Sequence, residues 1–382
     1  MLTQLELLRY SRQILLPDLK LEGQEKITRG KVLVVGAGGL GSPVLYYLTA
    51  AGIGTLGILD FDTVSISNLQ RQILYGTKDI DEPKTTKANQ RLSDLNPHVK
   101  IEIHHCVLNS ENAMQIIDGY DVVVDGSDNL PTRYLVNDAC VLLGKTLIYG
   151  AIFQFEGQVS VFNQLLSDGA RGPNYRDLFP EPPPPEMVPS CNEGGVLGVL
   201  PGIIGSMQAN EAIKVVAGIG KTLSGRLMIY DSLDFTVRFL NFKPNPANPV
   251  SGPYPTINKL IDYEAFCNPA LHSIEKNLDE ISPSDLKDLL DSGKKIQLID
   301  VREPFEFEIV NINGLNMPLS KIEENINLIQ REGPVVILCK SGGRSKAAIT
   351  LLQTHHGFKN LLNLKGGILQ WIAEVDPRLP KY

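Results

Sequence analysis

Lys31-Val-Leu-Val-Val-Gly-Ala-Gly-Gly-Leu-Gly-Ser42 is the stretch that decides the fold. Lys31 to Val35 is a short β-branched apolar run, the pattern of a buried strand, and it stops at a glycine cluster. Ser42 to Ala51 then carries a helix pattern. Between strand and helix, Gly36, Gly38, Gly39 and Gly41 allow a tight turn and let backbone N–H groups face phosphates. Further out, Gly57-Ile-Leu-Asp60 and Tyr120-Asp-Val-Val-Val-Asp125 read as strands that end in polar loops. This alternation predicts an α/β fold, a doubly wound parallel sheet with helices on both faces. The glycine loop alone leaves its ligand open. A dinucleotide such as NAD is the usual occupant, and a turn that merely needs positive φ is the bland alternative.

The rest of the chain narrows the function class. Its 382 residues, 43% of them hydrophobic, leave room for two or three domains with real cores. Thirty-six basic against forty-three acidic residues give a formal charge of -7. With no long run of Lys or Arg, no phosphate-tracking surface is expected, and nucleic acid is excluded as the expected partner. Met1-Leu-Thr-Gln-Leu-Glu6 is not a basic stretch followed by an apolar run, and no apolar segment approaches the ~20 residues that span a bilayer. A cytoplasmic protein with no membrane partner is expected. Five cysteines, an odd number without a CxxC pair, argue against a disulfide framework and a cysteine-rich zinc site, and leave thiol chemistry.

Between Gly169 and Ser190 the pattern breaks into Phe179-Pro-Glu-Pro-Pro-Pro-Pro-Glu-Met-Val-Pro189, an exposed loop suited to a lid. Gly194-Gly195 and Pro201-Gly202 precede an apolar helical stretch through Ala217, and strands near Arg226–Ile229 and Phe235–Phe242 close the first unit. The proline-dense Lys243 to Pro255 reads as the surface of that unit. Domains are therefore expected at 1–268 and 279–382, with a linker at 269–278. In the second, Ser282-Pro-Ser-Asp-Leu resembles a capped helix start, and Ile296–Asp300 and Val335–Leu338 read as buried strands of a smaller α/β unit.

Asp60-Phe-Asp-Thr-Val-Ser-Ile-Ser-Asn-Leu-Gln-Arg-Gln72, followed by Lys84, moves the argument from NAD towards ATP. Asp60, at a strand end, can take ribose hydroxyls in either nucleotide. Arg71 and Lys84, near the polar Asn68 and Gln72, suit a triphosphate, although two cations can also simply solvate a surface. Asp128, in Asp125-Gly-Ser-Asp-Asn129, is the candidate ligand for Mg²⁺; its alternative is to cap the helix that starts near Pro131.

Taken together, Arg9-Tyr-Ser-Arg-Gln13, Gly36 to Ser42, Asp60-Phe-Asp62, Ser67-Asn-Leu-Gln-Arg71, Lys84, Asp125 to Asn129 and Ser190-Cys-Asn-Glu-Gly-Gly195 resemble the ubiquitin-activating-like adenylyltransferases of molybdopterin and thiamin sulfur metabolism. The likeness spans about the first 265 residues, and the blocks fall in one order. It implies a Rossmann-like adenylation domain in which Gly39, Asp60, Asn68, Arg71, Gln72 and Lys84 hold ATP and Asp128 its Mg²⁺. Gly36, Gly38, Gly41, Ser67, Leu69, Gln70 and Asn129 count among the same cofactor-binding positions. Arg12 would reach the triphosphate from the other subunit of a homodimer. The partner implied is a ubiquitin-like sulfur carrier ending in Gly-Gly, whose terminal carboxylate attacks the α-phosphate to give an acyl adenylate. Molybdopterin, thiamin, cysteine and tRNA thiolation remain open as pathways. Family members usually carry two CxxC pairs on a structural zinc. Here the matching segments are Asn174-Tyr-Arg-Asp177 and Asn248-Pro-Val-Ser251, a poor donor set, so no structural zinc is expected.

Cys339 lies in Leu338-Cys-Lys-Ser-Gly-Gly-Arg-Ser345, between a β-branched strand and the helical Lys346 to Gln353. Its loop can wrap amides around one sulfur, and Lys340, Arg344 and the helix N-terminus favour an anionic thiolate or persulfide. A phosphatase loop has five residues between Cys and Arg, whereas Cys339 and Arg344 enclose four. With Asp300-Val-Arg-Glu-Pro304 and Gly366-Gly-Ile-Leu-Gln-Trp371, the loop resembles the rhodanese family over the last hundred or so residues. That likeness implies a sulfurtransferase with the persulfide on Cys339, loaded by a donor such as a cysteine desulfurase. Cys191 would receive the activated carrier covalently. Cys106 and Cys140 read as core packing, and nothing argues for Cys267. An oxidoreductase with a sulfurtransferase tail leaves Arg12, Arg71 and Lys84 unexplained; a non-catalytic carrier-binding scaffold is the third reading.

Overall fold

The computed structural model describes residues 1–183, 195–267 and 278–380. The chain divides into two compact units, Met1–Asn268 and Pro269–Tyr382. Most of the expected linker, and most of the proline-rich loop with Cys191, lie outside the described residues.

The first unit is built on eight strands: β1 (Lys31–Val35), β2 (Thr55–Leu59), β3 (Lys100–His104), β4 (Val122–Asp125), β5 (Thr146–Phe153), β6 (Glu156–Phe162), β7 (Arg226–Asp231) and β8 (Thr236–Asn241). Their order is β3-β2-β1-β4-β5-β6-β7-β8. β3 to β5 form the parallel half that alternation predicts, whereas β6, β7 and β8 pair antiparallel, so the sheet is mixed rather than wholly parallel. The cause is local. Phe153 pairs with Glu156 across only Gln154-Phe155, with Gln154 at φ 51°, and a two-residue connection can join only antiparallel strands.

The inner parallel strands β1, β2 and β4 are largely apolar because helices cover both faces, whereas the edge strand β3, Lys-Ile-Glu-Ile-His, is half exposed. Val32, Val34, Leu56 and Ile58 pack one way with Leu45, Leu48 and Ile204; Leu33, Val35 and Val123 pack the other way with Tyr134, Leu135 and Cys140. Leu45 and Leu48 belong to the helix Gly41–Ala51, which stops at Gly52. Ile204 belongs to the helix Leu200–Ala217, which includes Pro201 and Gly202 in its first turn instead of following them. A first-turn proline has no intrahelical N–H bond to lose. The proline-dense segment is part of the first unit: Asn248 is 2% exposed and Val250 7%.

The second unit has five parallel strands in the order β11-β10-β12-β13-β9: β9 (Glu280–Ile281), β10 (Gln297–Asp300), β11 (Leu315–Asn316), β12 (Val335–Leu338) and β13 (Leu361–Leu364). Ser282 caps the helix Pro283–Asp291, its hydroxyl accepting from the Asp285 N–H at 3.1 Å. No helix among the described residues is long and apolar enough to cross a membrane.

Candidate active sites

A cavity of about 190 Å³ opens where β1, β2 and β4 end, the crevice at which ligands of open α/β sheets bind. Gly36 sits at φ 89°, and a Cβ on Gly41 would lie 1.9 Å from the Gly36 carbonyl oxygen, so the loop closes on itself only with glycine at both places. Tyr75 donates to the Ala37 carbonyl at 2.8 Å, while the Ala37 N–H donates to Asp60 at 2.8 Å.

Asp60 also accepts from the Asp62 N–H at 2.8 Å. Burial pushes its carboxyl above the ordinary carboxylate value, against which Lys84 pulls. Lys84 opens the helix Lys84–Leu95 and is 4% exposed; its Nζ lies 2.8 Å from Asp62 and 3.9 Å from Asp60. The cation is thus held in a carboxylate pair, with donor capacity left on an ammonium that has three N–H bonds. Arg71 donates to the Ser67 carbonyl at 3.0 Å. Gln72 is 4% exposed, and its Oε1 has no hydrogen-bond partner, an acceptor buried beside the cavity that a ligand N–H or O–H would satisfy.

Of the sequence-derived positions, Gly36, Gly38, Gly39, Asp60, Arg71, Gln72, Lys84, Asp128 and Asn129 line this cavity. Gly41, Ser67, Asn68, Leu69, Gln70 and Arg12 do not. Gly41 shapes the loop from behind. Asn68 closes a capping box on Ser65, Leu69 packs towards the core, and Ser67 and Gln70 are exposed. Arg12 is exposed on the short helix Ser11–Ile14. Asn129, not Asp128, caps the helix Leu130–Leu142, its side chain accepting from the Thr132 N–H at 2.9 Å. Asp128 is exposed at the cavity edge, where a carboxylate can meet a phosphate-bound cation.

Sequence reasoning passed over Asp62 and Arg133, which also line the cavity. Asp62 was visible as the second carboxylate of Asp60-Phe-Asp62. Arg133 lies four positions after Asn129, one turn into the helix, on the same face as the loop. Its guanidinium donates to the Ser127 carbonyl at 3.4 Å and opposes the upward push that full burial gives Asp125.

The four positions without thiolates form a hydrogen-bonded cluster. Asn248 Nδ2 donates to Asp177 at 2.7 Å and to Asn174 at 3.2 Å, and Asn174 Nδ2 donates to Ser251 at 2.8 Å. Asn248 Oδ1 in turn accepts the N–H groups of Val250 and Ser251. Beside it, Arg176 makes a bidentate pair with Asp138, 2.8 Å for each bond, and Tyr263 donates to the same carboxylate.

In the second unit Cys339 follows β12 and is 1% exposed. Its Sγ accepts from the Gly342 N–H at 3.1 Å and lies 3.4 Å from Ser345 Oγ, at the start of the helix Gly343–His356. Arg344 does not simply offer its charge to the sulfur: Glu306 engages its guanidinium through two bonds, at 2.5 and 2.8 Å. Cys140 and Cys267 are buried and Cys106 half-buried. Burial holds the Cys267 thiol up at about 12, out of reach of neutral-pH ionisation.

Residues 10–250 match the ThiF family, and residues 282–374 match the rhodanese-like domain. The probable adenylyltransferase/sulfurtransferase MoeZ of Mycobacterium tuberculosis is 44% identical over 386 residues, covering 100% of this chain and 96% of its own. The sulfur carrier protein adenylyltransferase of Thermus thermophilus is 57% identical over 265 residues, 69% of this chain and 98% of its own. Among solved structures, Escherichia coli MccB with succinimide superposes with a TM-score of 0.56 at 19% identity, over 64% of this chain and 73% of that one, which shows the shared fold. A glycine-loop cavity at the sheet edge and a cysteine loop at the end of β12 stand in the order of those two matched segments, and the chain belongs to the ThiF family, with a rhodanese-like domain following.

Proposed function

We propose that this protein is a sulfur-carrier adenylyltransferase and sulfurtransferase: it activates the C-terminal glycine of a ubiquitin-like carrier with ATP, and the terminal sulfur of a Cys339 persulfide displaces AMP to give an acyl disulfide. A thiol then cleaves that S–S bond, which releases the thiocarboxylate and leaves Cys339 in a disulfide with the thiol. The observation that carries this reading is the cavity itself. It joins a glycine loop, the cations Arg71 and Lys84, the carboxylate Asp128 and the unpartnered acceptor of Gln72 at one sheet edge. A nicotinamide site, with two bridging phosphates in place of a triphosphate, needs no such cluster of cations.

The chemistry asks for alignment and charge stabilisation rather than a protein nucleophile. The amides of residues 38–40, which line the cavity, face the phosphates, Asp60 takes the ribose, and Lys84 and Arg71 balance charge that builds on the pyrophosphate leaving group. Asp128 is suited to hold Mg²⁺ together with phosphate oxygens, and the ion would add positive charge there. Arg12, exposed and away from its own cavity, fits a role on the site of a second copy in a homodimer. Cys191 is the candidate for a covalent link to the carrier, and a cysteine desulfurase is the candidate donor to Cys339.

The test is ATP–pyrophosphate exchange with carriers ending in Gly-Gly, with intact-mass detection of sulfur gained by the carrier when thiosulfate and a thiol reductant are added. Carrier-dependent exchange and a thiocarboxylate that disappears in Cys339→Ala are expected. Exchange with none of the carriers would overturn the reading.

A further inference from the structure

Behind Cys339 runs a buried polar chain that the sulfur loop itself does not require. Ser345 and Asn363 are each 0% exposed. Ser345 Oγ lies 3.4 Å from Cys339 Sγ, 2.7 Å from Asn363 Oδ1 and 3.0 Å from the Gly342 carbonyl oxygen. Asn363 Nδ2 donates to Glu280 at 2.9 Å, and Lys346 lies 3.4 Å from the same carboxylate. An ionised carboxylate only accepts, so Glu280 fixes the orientation of the Asn363 amide and turns its oxygen towards Ser345. A hydroxyl has one proton, and here three acceptors surround it.

We infer that Ser345 is a switchable hydrogen-bond donor to the sulfur of Cys339, held in place by Asn363 and Glu280: its proton rests on Asn363 Oδ1 while the sulfur is a neutral thiol and turns to Sγ when that sulfur becomes anionic. The inference rests on the reading of Cys339 as the sulfur carrier. With thiosulfate, the Cys339 thiolate attacks the sulfane sulfur, an S–S bond forms, and sulfite leaves with the electron pair of the bond that breaks. When cyanide takes the terminal sulfur, a C–S bond forms, the S–S bond breaks, and its electron pair returns to Sγ as thiolate while thiocyanate departs. Ser345 touches the atom that receives that pair, whereas Asn363 and Glu280 are positioning residues. The other charged groups around the loop are Lys340, Arg344 with its partner Glu306, and Lys346 with Glu280.

The experiment follows iodoacetamide alkylation of Cys339 in the full chain against pH, read by peptide mass, together with single-turnover release of thiocyanate from thiosulfate-loaded protein. Ser345→Ala is expected to move the alkylation midpoint up by about one pH unit and to slow thiocyanate release roughly tenfold, the worth of a hydrogen bond to a charged group. Ser345→Thr restores the hydroxyl and recovers most of both losses. Asn363→Leu removes the competing acceptor and moves the midpoint down, the opposite direction, which general loosening of the loop would not do. An unmoved midpoint in Ser345→Ala, or a shift of the same sign in both variants, overturns the inference. Should Ser345→Ala fail to fold, Asn363→Leu decides alone, an unmoved or raised midpoint counting against. If the wild-type chain takes no sulfur from thiosulfate, the functional reading fails, while the alkylation midpoints still decide the role of Ser345.

Discussion

Lys84 shows how one side chain serves both fold and chemistry. Its ammonium neutralises Asp62 and lies near Asp60, in the crevice where the phosphates of ATP would sit. Lys84→Met leaves both carboxylates unpaired and removes a charge-assisted donor, so carrier-dependent pyrophosphate exchange should fall by roughly ten- to a hundredfold. A loss of exchange with the melting temperature kept would place the effect in the site rather than the fold. Asp125 offers a pH test. Burial raises its carboxyl, so the folded chain holds that proton more tightly than the unfolded chain. The stability drawn from it is full below the ordinary carboxylate range and is lost as pH rises through the raised folded value. Asp125→Asn keeps an acceptor for Ser127 and does not titrate. Urea unfolding between acid and neutral pH should show the wild type losing stability relative to this variant as pH rises.

At the scale of elements, the Asn174, Asp177, Asn248 and Ser251 cluster ties two segments more than seventy residues apart in sequence, the start of the helix Tyr175–Leu178 and the turn after Asn245. Asn248→Ala leaves buried donors and acceptors unmet and should cost about 2 to 4 kcal/mol, a fall in melting temperature of roughly 4–16 °C for a unit of this size. A strong zinc chelator should leave the wild-type transition where it is, since amide, carboxylate and hydroxyl groups hold this region by hydrogen bonds. A chelator-induced drop of several degrees would contradict that account. β1 and β4 were legible as elements because each is a Val-rich run that stops at a glycine or polar loop. β5 and β6 were not, because nothing local marks the two-residue reversal at Gln154-Phe155.

For the whole molecule, the proposed use of Arg12 on a second copy has a direct test. Mixing Arg12→Ala with Lys84→Met subunits creates mixed dimers in which one of the two sites has both wild-type residues. Pyrophosphate exchange should return to about a quarter of the wild-type level after subunit exchange, the share expected for random pairing of two-fold dimers. Recovery of no activity would place Arg12 in its own site, and an Arg12→Ala protein that is active on its own would place it outside catalysis.

The sequence by itself determined the doubly wound sheet, the glycine loop with Asp60, the Cys339 loop and the order of the two halves. These are encoded in contiguous residues whose periodicity and turn chemistry act over a few positions. The tertiary structure decided which members of the Asp60 to Gln72 block reach the cavity, that Asn129 rather than Asp128 caps its helix, that Glu306 holds Arg344, and that Asn174 meets Asn248. Except for the Asn129 cap, a contact between residues three positions apart, those outcomes depend on contacts between segments far apart in the chain, and burial decides which polar groups must find each other once water is excluded.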